Sequence, residues 1–366
     1  MRIKIQAAVV HEAGQPFQIE EVELSGPKAG ELLVKIVASG VCHTDEVAQH
    51  QGIPVPLPAV LGHEGCGIVE DVGEGVTEFR KGDRVSFSFG FCGHCENCLS
   101  AHQHACENFN AINFGGVMAD GTRRLSQNGV ELSSFFGQSS FATYAVVHQN
   151  STIKVTDDTI DLALLGPLGC GIQTGAGAVL NRLKPAFGSS IAVFGCGTVG
   201  MSAIMAAKIA GCDKIIAVGG NKKSLELALE LGATHTVNRK ECDDIVAEVK
   251  RITNGGTHYS IDTTGVGDFV RKALASVRFM GTCVVLGATG DLTINVQQEL
   301  MGDAKSLIGI VEGDSIPKLF IPQLIEYYKK GRFPFDRLIK FYDFKDINKA
   351  FADSHNGDVI KAVLKM

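Results

Sequence analysis

Short apolar runs closed by glycine or proline dominate the first part of the chain. Runs at 3–10, 31–39, 67–72, 84–89 and 142–148 are each bounded by turn-forming residues, and this pattern predicts strands. Up to about residue 150 the chain therefore reads as β-rich. From about 190 the rhythm changes. An apolar run at 191–194 precedes a stretch in which Ala203, Ala206, Ala207 and Ala210 recur at helical spacing, and 214–218 precedes a second such stretch through Leu225, Ala228, Leu229 and Leu231. Further strands are predicted at 259–263, 282–286 and 306–311, with a helix at 268–277 among them. Strand and helix alternating at this spacing predict a parallel, doubly wound sheet. A helix at 316–330 and a strand at 359–364 follow. That tail has no partner of its own and is expected to return to the β-rich part.

Composition narrows the class. A length of 366 residues suggests two domains, at about 150 residues each. Hydrophobic residues at 45% and charged residues at 20% describe an ordinary globular protein. A net charge of 34 − 40 = −6 makes duplex nucleic acid and anionic membranes poor partners. No apolar stretch reaches the roughly 18 uncharged residues of a membrane span. An odd count of 11 cysteines cannot pair off completely, and no signal-like segment precedes the first strand. The expectation is a cytoplasmic protein with reduced thiols. Neither the 11 cysteines nor the 43 glycines are explained by class alone.

Four of the cysteines are Cys92, Cys95, Cys98 and Cys106, spaced C-x2-C-x2-C-x7-C in a glycine-rich loop. Two-residue gaps let thiolates converge on one tetrahedral ion, and four thiolates fill every position, so a structural zinc is predicted. A disulfide pair or an iron–sulfur centre could draw on the same residues. The run Val193-Phe194-Gly195-Cys196-Gly197-Thr198-Val199-Gly200 places G-x-G-x-x-G between a strand and a helix. Gly195 serves the tight turn, Gly197 the approach of a pyrophosphate and Gly200 the packing of helix on strand, which predicts a bound dinucleotide. The acidic residue expected at the end of the next strand is missing: Gly219 stands there, followed by Gly220, Asn221, Lys222, Lys223 and Ser224. Without a carboxylate to repel it, and with lysines at hand, a 2′-phosphate can bind. NADP is therefore expected to serve at least as well as NAD, with Gly219, Asn221, Lys222 and Lys223 around its adenosine end.

Cys42, His63 and Cys170 are too far apart in sequence for spacing to join them. Their contexts are Cys42-His43-Thr44-Asp45, Gly62-His63-Glu64-Gly65-Cys66-Gly67 with Gly73 and Val76 beyond, and Gly169-Cys170-Gly171. The second of these resembles the zinc signature of the medium-chain alcohol dehydrogenases, and with the four-cysteine loop and the nucleotide motif the resemblance spans essentially the whole chain. It implies an α/β two-domain fold, with a β-rich GroES-like catalytic domain at 1–171 and 310–366 and a Rossmann domain at 172–309. It also implies two zinc ions per chain, the second held by Cys42, His63 and Cys170 with one position open. Glu64 then lies beside the metal, Asp45 orients His63, and Thr44 takes the alcohol proton as hydride passes to the nicotinamide. His43 and Lys361 match positions on the pyrophosphate, and Thr174 and Val199 match positions lining the nicotinamide. Some members end the proton relay in a histidine where this chain has Val47, so the relay is expected to end at solvent through the ribose, or to use His43 or His50.

Within the family the likeness is greatest to the aryl-alcohol (benzyl alcohol) dehydrogenases. It is carried by Gly331-Arg332-Phe333-Pro334-Phe335-Asp336-Arg337-Leu338-Ile339-Lys340-Phe341-Tyr342, with Cys42 to Val47 in support. Phe87, Phe89 and Phe91 are candidates to line an apolar slot. The resemblance implies oxidation of benzylic or allylic primary alcohols to aldehydes, and a homodimer or homotetramer paired through the edge strand at 306–311. A polyol or secondary-alcohol dehydrogenase is the alternative enzyme, disfavoured by Val47, Ile53, Val55 and Leu57 where extra hydroxyls would need polar groups. A nucleotide-sensing protein without turnover is the alternative from another class.

Overall fold

The computed structural model describes residues 2–366, and the chain divides into two compact units. One takes the chain up to Cys170 with Ile316–Gln323 and Asp336–Met366; the other takes Gly171–Ser315 and Leu324–Phe335. Residues 310–315 and Leu324–Phe335, expected with the β-rich part, thus group with the parallel sheet. Among the described residues no single helix is long and apolar enough to cross a membrane.

The first unit holds two sheets. In the five-stranded one, Arg2–Val10 pairs antiparallel with Gln18–Ser25. The second of these strands is hidden in the sequence by Glu20, Glu21 and Glu23; only Val22 and Leu24 are fully buried. The seven-stranded sheet is built around Glu31–Gly40, whose Leu32, Val34, Ile36 and Ala38 are buried. Burial of each larger side chain contributes roughly 1.5–3 kcal/mol. One edge of this strand pairs with Gly65–Val72. The other edge pairs with Tyr144–His148 over its first half and with the tail strand Lys361–Lys365 at its end, Gly40 opposite Val363. The tail strand is therefore delivered beside the residues that lead into Cys42.

The second unit is one parallel sheet in the order His235–Asn238, Lys214–Gly219, Ser190–Phe194, Thr257–Asp262, Val277–Val285, Ser306–Gly309. All five residues of Ser190–Phe194 are buried, as a strand covered on both faces requires. His235–Asn238 has one buried apolar residue, Val237, too little for a periodic signal. The predicted helix at 268–277 is Gly267–Ser276, and the chain passes from it directly into a strand that begins five positions before the expected 282. After Ser190–Phe194, Gly195 adopts φ +102°, and a Cβ at Gly200 would lie 1.9 Å from the Gly195 carbonyl oxygen. Only glycine permits that turn and that approach.

Candidate active site

Cys42 is the N-cap of the helix His43–Gln49, which starts where Glu31–Gly40 runs out. Asp45, at the third helical position and fully buried, folds back so that its Oδ2 accepts from the Cys42 N–H at 3.1 Å. Its Oδ1 accepts from the Gly62 N–H at 3.0 Å and from the His63 ring at 2.9 Å. Gly62 has φ +97°, and a Cβ there would strike the Phe141 nitrogen at 2.5 Å, so glycine alone can present His63 at this angle. With Nδ1 bonded to Asp45, Nε2 is left facing the Cys170 sulfur, 3.2 Å away. Cys170 is held in turn by the neighbouring Gly169 carbonyl, which accepts from the Ser88 hydroxyl at 2.7 Å. Donor atoms of Cys42, His63, Glu64 and Cys170 all lie within 4.8 Å of one another. The adjacent Cys170 thiol, together with His63, holds Cys42 well below the usual thiol range. Two sulfurs and a histidine nitrogen with a fixed tautomer are the donor set of a zinc site that keeps a position open.

Glu64 is a possible fourth donor, but it is already engaged. Both its oxygens accept from Lys361 Nζ, at 2.9 and 2.8 Å, and the same ammonium donates to the Val41 carbonyl at 2.9 Å. Burial pushes Glu64 up to about 7 against the pull of Lys361. Burial also opposes the lysine's charge, yet Glu64 beside it keeps Lys361 above its ordinary value. Expected on a pyrophosphate, Lys361 is instead 2% exposed and neutralises a carboxylate behind the metal ligands. Lys361→Met is accordingly expected to cost about 1 kcal/mol near neutrality, because a carboxyl already pushed up to about 7 takes up a proton once its partner is gone. The sign is fixed by Glu64: its folded-state value is raised, so the penalty is absent below about pH 4.5, where the carboxyl is protonated folded or unfolded, and grows as pH rises. Denaturant midpoints at pH 4.5 and 7.5 check this; an equal penalty at both would overturn it.

Asp45→Asn keeps an oxygen for His63 and Gly62 but turns an amide donor toward the Cys42 N–H and removes the charge. Zinc retention against a chelator, or kcat/KM, should fall about 10- to 100-fold; a variant unchanged in both would show that Asp45 is spectator structure.

The remaining expected residues fall as follows. Thr44 Oγ1 lies 3.6 Å from the Cys42 sulfur. His43 is exposed, its ring 3.1 Å from Glu46, which also accepts from His355 at 2.7 Å. A cavity of about 280 Å³ runs along Val41, Cys42, His43 and Glu46. In the second unit, Gly197 caps the helix Thr198–Ile209. The helix Gly171–Gly177, which carries Thr174, packs on it so closely that a Cβ at Gly175 would be 1.9 Å from the Val199 carbonyl oxygen. Asn221 spends its side-chain oxygen on the N–H groups of Lys223 and Ser224, and Lys222 is paired with Glu241 at 2.7 Å.

Phe135 and Phe136 were not picked out from the sequence. Phe136 stacks on the His63 ring with centroids 4.5 Å apart, and Phe135 meets the same ring edge-on at 5.5 Å. Phe136 also lines a cavity of about 410 Å³ with Phe91, Ile112, Val117 and Met118, while His94 and His148 supply polar groups. Of the three candidate phenylalanines, Phe91 lines this cavity; Phe87 and Phe89 are core residues at 0% and 1% exposure. Two adjacent phenylalanines carry no signal of their own, since core strands contain them routinely.

In the glycine-rich loop, the sulfurs of Cys92, Cys95, Cys98 and Cys106 also lie within 4.8 Å of one another. Cys92 and Cys98 are 3.9 Å apart, and Cys95 and Cys106 4.0 Å. Zinc–sulfur bonds of about 2.3 Å place tetrahedral ligand sulfurs about 3.8 Å apart, so the four fit one zinc ion, and none is in a disulfide. Although burial opposes it, the N–H groups of His94 and Cys95 hold Cys92 down at about 6.

Known proteins resemble this chain along its whole length. Residues 28–157 match the alcohol dehydrogenase GroES-like domain, and residues 198–327 match the zinc-binding dehydrogenase domain. A geraniol dehydrogenase from Castellaniella defragrans is 45% identical over 99% of this chain and 98% of its own. Among solved structures, an alcohol dehydrogenase zinc-binding domain protein from Burkholderia ambifaria has a TM-score of 0.97 at 48% identity, covering 100% of both chains. The benzyl alcohol dehydrogenase of Acinetobacter calcoaceticus has a TM-score of 0.95 at 44% identity, covering 100% of this chain and 99% of that one. With two thiol-rich donor sets, a GroES-like domain and a Rossmann sheet joined in one polypeptide, the chain belongs to the zinc-binding medium-chain alcohol dehydrogenases.

Proposed function

We propose that the protein interconverts primary aromatic or allylic alcohols and their aldehydes, passing hydride to NADP at least as well as to NAD. The observation that carries the substrate reading is Phe136, which stacks on a metal-ligating ring and also walls a largely apolar cavity. An aryl ring or allylic chain suits the apolar stretch of wall formed by Phe91, Ile112, Val117, Met118 and Phe136. The names of two relatives, one for geraniol and one for benzyl alcohol, support the same class.

Cys42, His63 and Cys170 are the residues to hold the catalytic zinc, which when bound supplies a Lewis acid to the alcohol oxygen. Asp45 keeps the His63 tautomer, Glu64 with Lys361 sets the charge behind the ligands, and Thr44 receives the alcohol proton. His43 sits on the exposed side of the same helix, available to a pyrophosphate. Gly195, Gly197 and Gly200 admit the pyrophosphate, Thr174 and Val199 line the nicotinamide, and Lys223 is available to a 2′-phosphate. A homodimer or homotetramer formed through the edge strand Ser306–Gly309, in the cytoplasm, completes the reading.

The test is kcat/KM for benzyl alcohol, geraniol, butane-2,3-diol and sorbitol, each with NADP and NAD. Benzyl alcohol or geraniol should lead by at least about tenfold, since burying two or more apolar carbons is worth more than about 1.4 kcal/mol. A lead for either diol or polyol sinks the substrate reading, and a clear preference for NAD sinks the cofactor reading.

A further inference from the structure

Gly219 ends the strand Lys214–Gly219 and Gly220 follows it; two of their neighbours have a bearing on the cofactor. The first is Arg239. Gly219 is in parallel register with Asn238, and the Arg239 N–H donates to the Gly219 carbonyl at 2.8 Å. Arg239 therefore stands at the carboxyl edge of the sheet, the edge at which open α/β sheets take their ligands. Its guanidinium lies against Gly220, where a Cβ would come within 2.7 Å of Nε and 3.2 Å of Cζ. The Phe269 ring supports the guanidinium from 5.5 Å. Among the described residues the guanidinium makes no ion pair, whereas the nearby Lys222 is bound to Glu241.

The second neighbour is Cys196, inside the phosphate loop. A Cβ at Gly219 would lie 2.9 Å from its sulfur and 3.2 Å from Leu225 Cδ2. Any side chain at 219 must therefore displace Cys196. A carboxylate at 219 would have to share this space with the Cys196 sulfur.

We propose that Arg239 and Cys196 together set cofactor selectivity at the adenosine ribose. Arg239 supplies the cation for a 2′-phosphate, and Cys196 fills the space that a ribose-binding carboxylate would need. A planar guanidinium suits a phosphate better than an ammonium does, because it donates through two parallel N–H groups. The inference rests on the reading that NADP is used.

The probes are adenosine 2′,5′-bisphosphate and 5′-AMP, titrated calorimetrically into the zinc-loaded full chain, alongside KM for NADP and NAD. Arg239→Gln should weaken bisphosphate binding about 10- to 100-fold, the scale of one or two lost charge-assisted hydrogen bonds, and leave AMP within twofold. Arg239→Lys should recover part of the loss, and Lys222→Gln should lose less than threefold. Equal weakening of both probes would make Arg239 merely structural and overturn its assignment. Gly219→Asp alone should not improve KM for NAD, while Gly219→Asp with Cys196→Ala should lower it at least fivefold. Equal improvement without the second change would overturn the role of Cys196. A parent that binds bisphosphate no better than AMP overturns the NADP reading and the inference together. A parent that prefers bisphosphate, and whose Arg239→Gln variant keeps that preference, overturns Arg239 alone.

Discussion

Cys170→Ala should leave the fold standing and cut kcat/KM for the alcohol by about a thousandfold or more. Lewis-acid stabilisation of a developing oxyanion is worth several kcal/mol, and each 1.36 kcal/mol is a factor of ten in rate. Two donors, Cys42 and His63, would remain. Glu64 is near enough to replace the lost sulfur, but only by abandoning Lys361 and leaving a buried ammonium unpaired. Substitution inside the shell is therefore costly, and metal should be lost rather than recaptured. Elemental analysis should find zinc falling from two ions per chain to one. Undiminished turnover, or two ions retained, would remove Cys170 from the ligand set.

The second large effect is expected in the other thiol cluster. Cys98→Ser should release the glycine-rich loop from hydrogen-exchange protection and destabilise the first unit by several kcal/mol, with the sheet of the second unit still protected. Apolar support in this lobe is thin: among the described residues Phe91, Phe109 and Ile112 pack against the cysteines, and each is itself only partly buried. Structural zinc sites contribute about 10–16 kcal/mol to the folding of small zinc-finger peptides. A loop with so little core of its own depends on that contribution. Since Phe91 leads into Cys92 and also lines the larger cavity, the variant should also raise KM for an apolar alcohol. An unchanged exchange pattern in the loop would show that packing, not the ion, orders it.

What could be read in the chain was local chemistry. C-x2-C-x2-C-x7-C and G-x-G-x-x-G work through consecutive backbone, so the spacing is itself the site. Cys42, His63 and Cys170 needed the family resemblance, because the backbone turn at Gly62 that brings His63 onto Asp45 has no periodic signature. Lys361 was placed by resemblance on a pyrophosphate, yet its partner is Glu64, 297 positions away, and no pattern along the chain reports such a pairing. The missing carboxylate at Gly219 and the lysines behind it could be read directly, whereas the helix cap made by Asn221 and the pairing of Lys222 with Glu241 could not. Arg239 was overlooked since it follows a four-residue strand with one buried residue, below what periodicity can register. Strands with continuous apolar runs were legible, and Gln18–Ser25, with three glutamates on a half-buried edge, was not.

The order of synthesis follows from the tail strand. Lys361–Lys365 completes the sheet on which Cys42 and Glu64 depend, yet the ribosome makes it only after the whole of Gly171–Ser315 has emerged. In most multidomain chains the first-made domain folds first; here the later, contiguous nucleotide sheet can close while the earlier one waits for its last strand. Until then Glu64 has no counter-ion and the central strand Glu31–Gly40 keeps part of an edge open, a template for unwanted pairing. Closure of the metal-binding half is thus tied to the arrival of Lys361–Lys365, after every strand of the nucleotide sheet has been made.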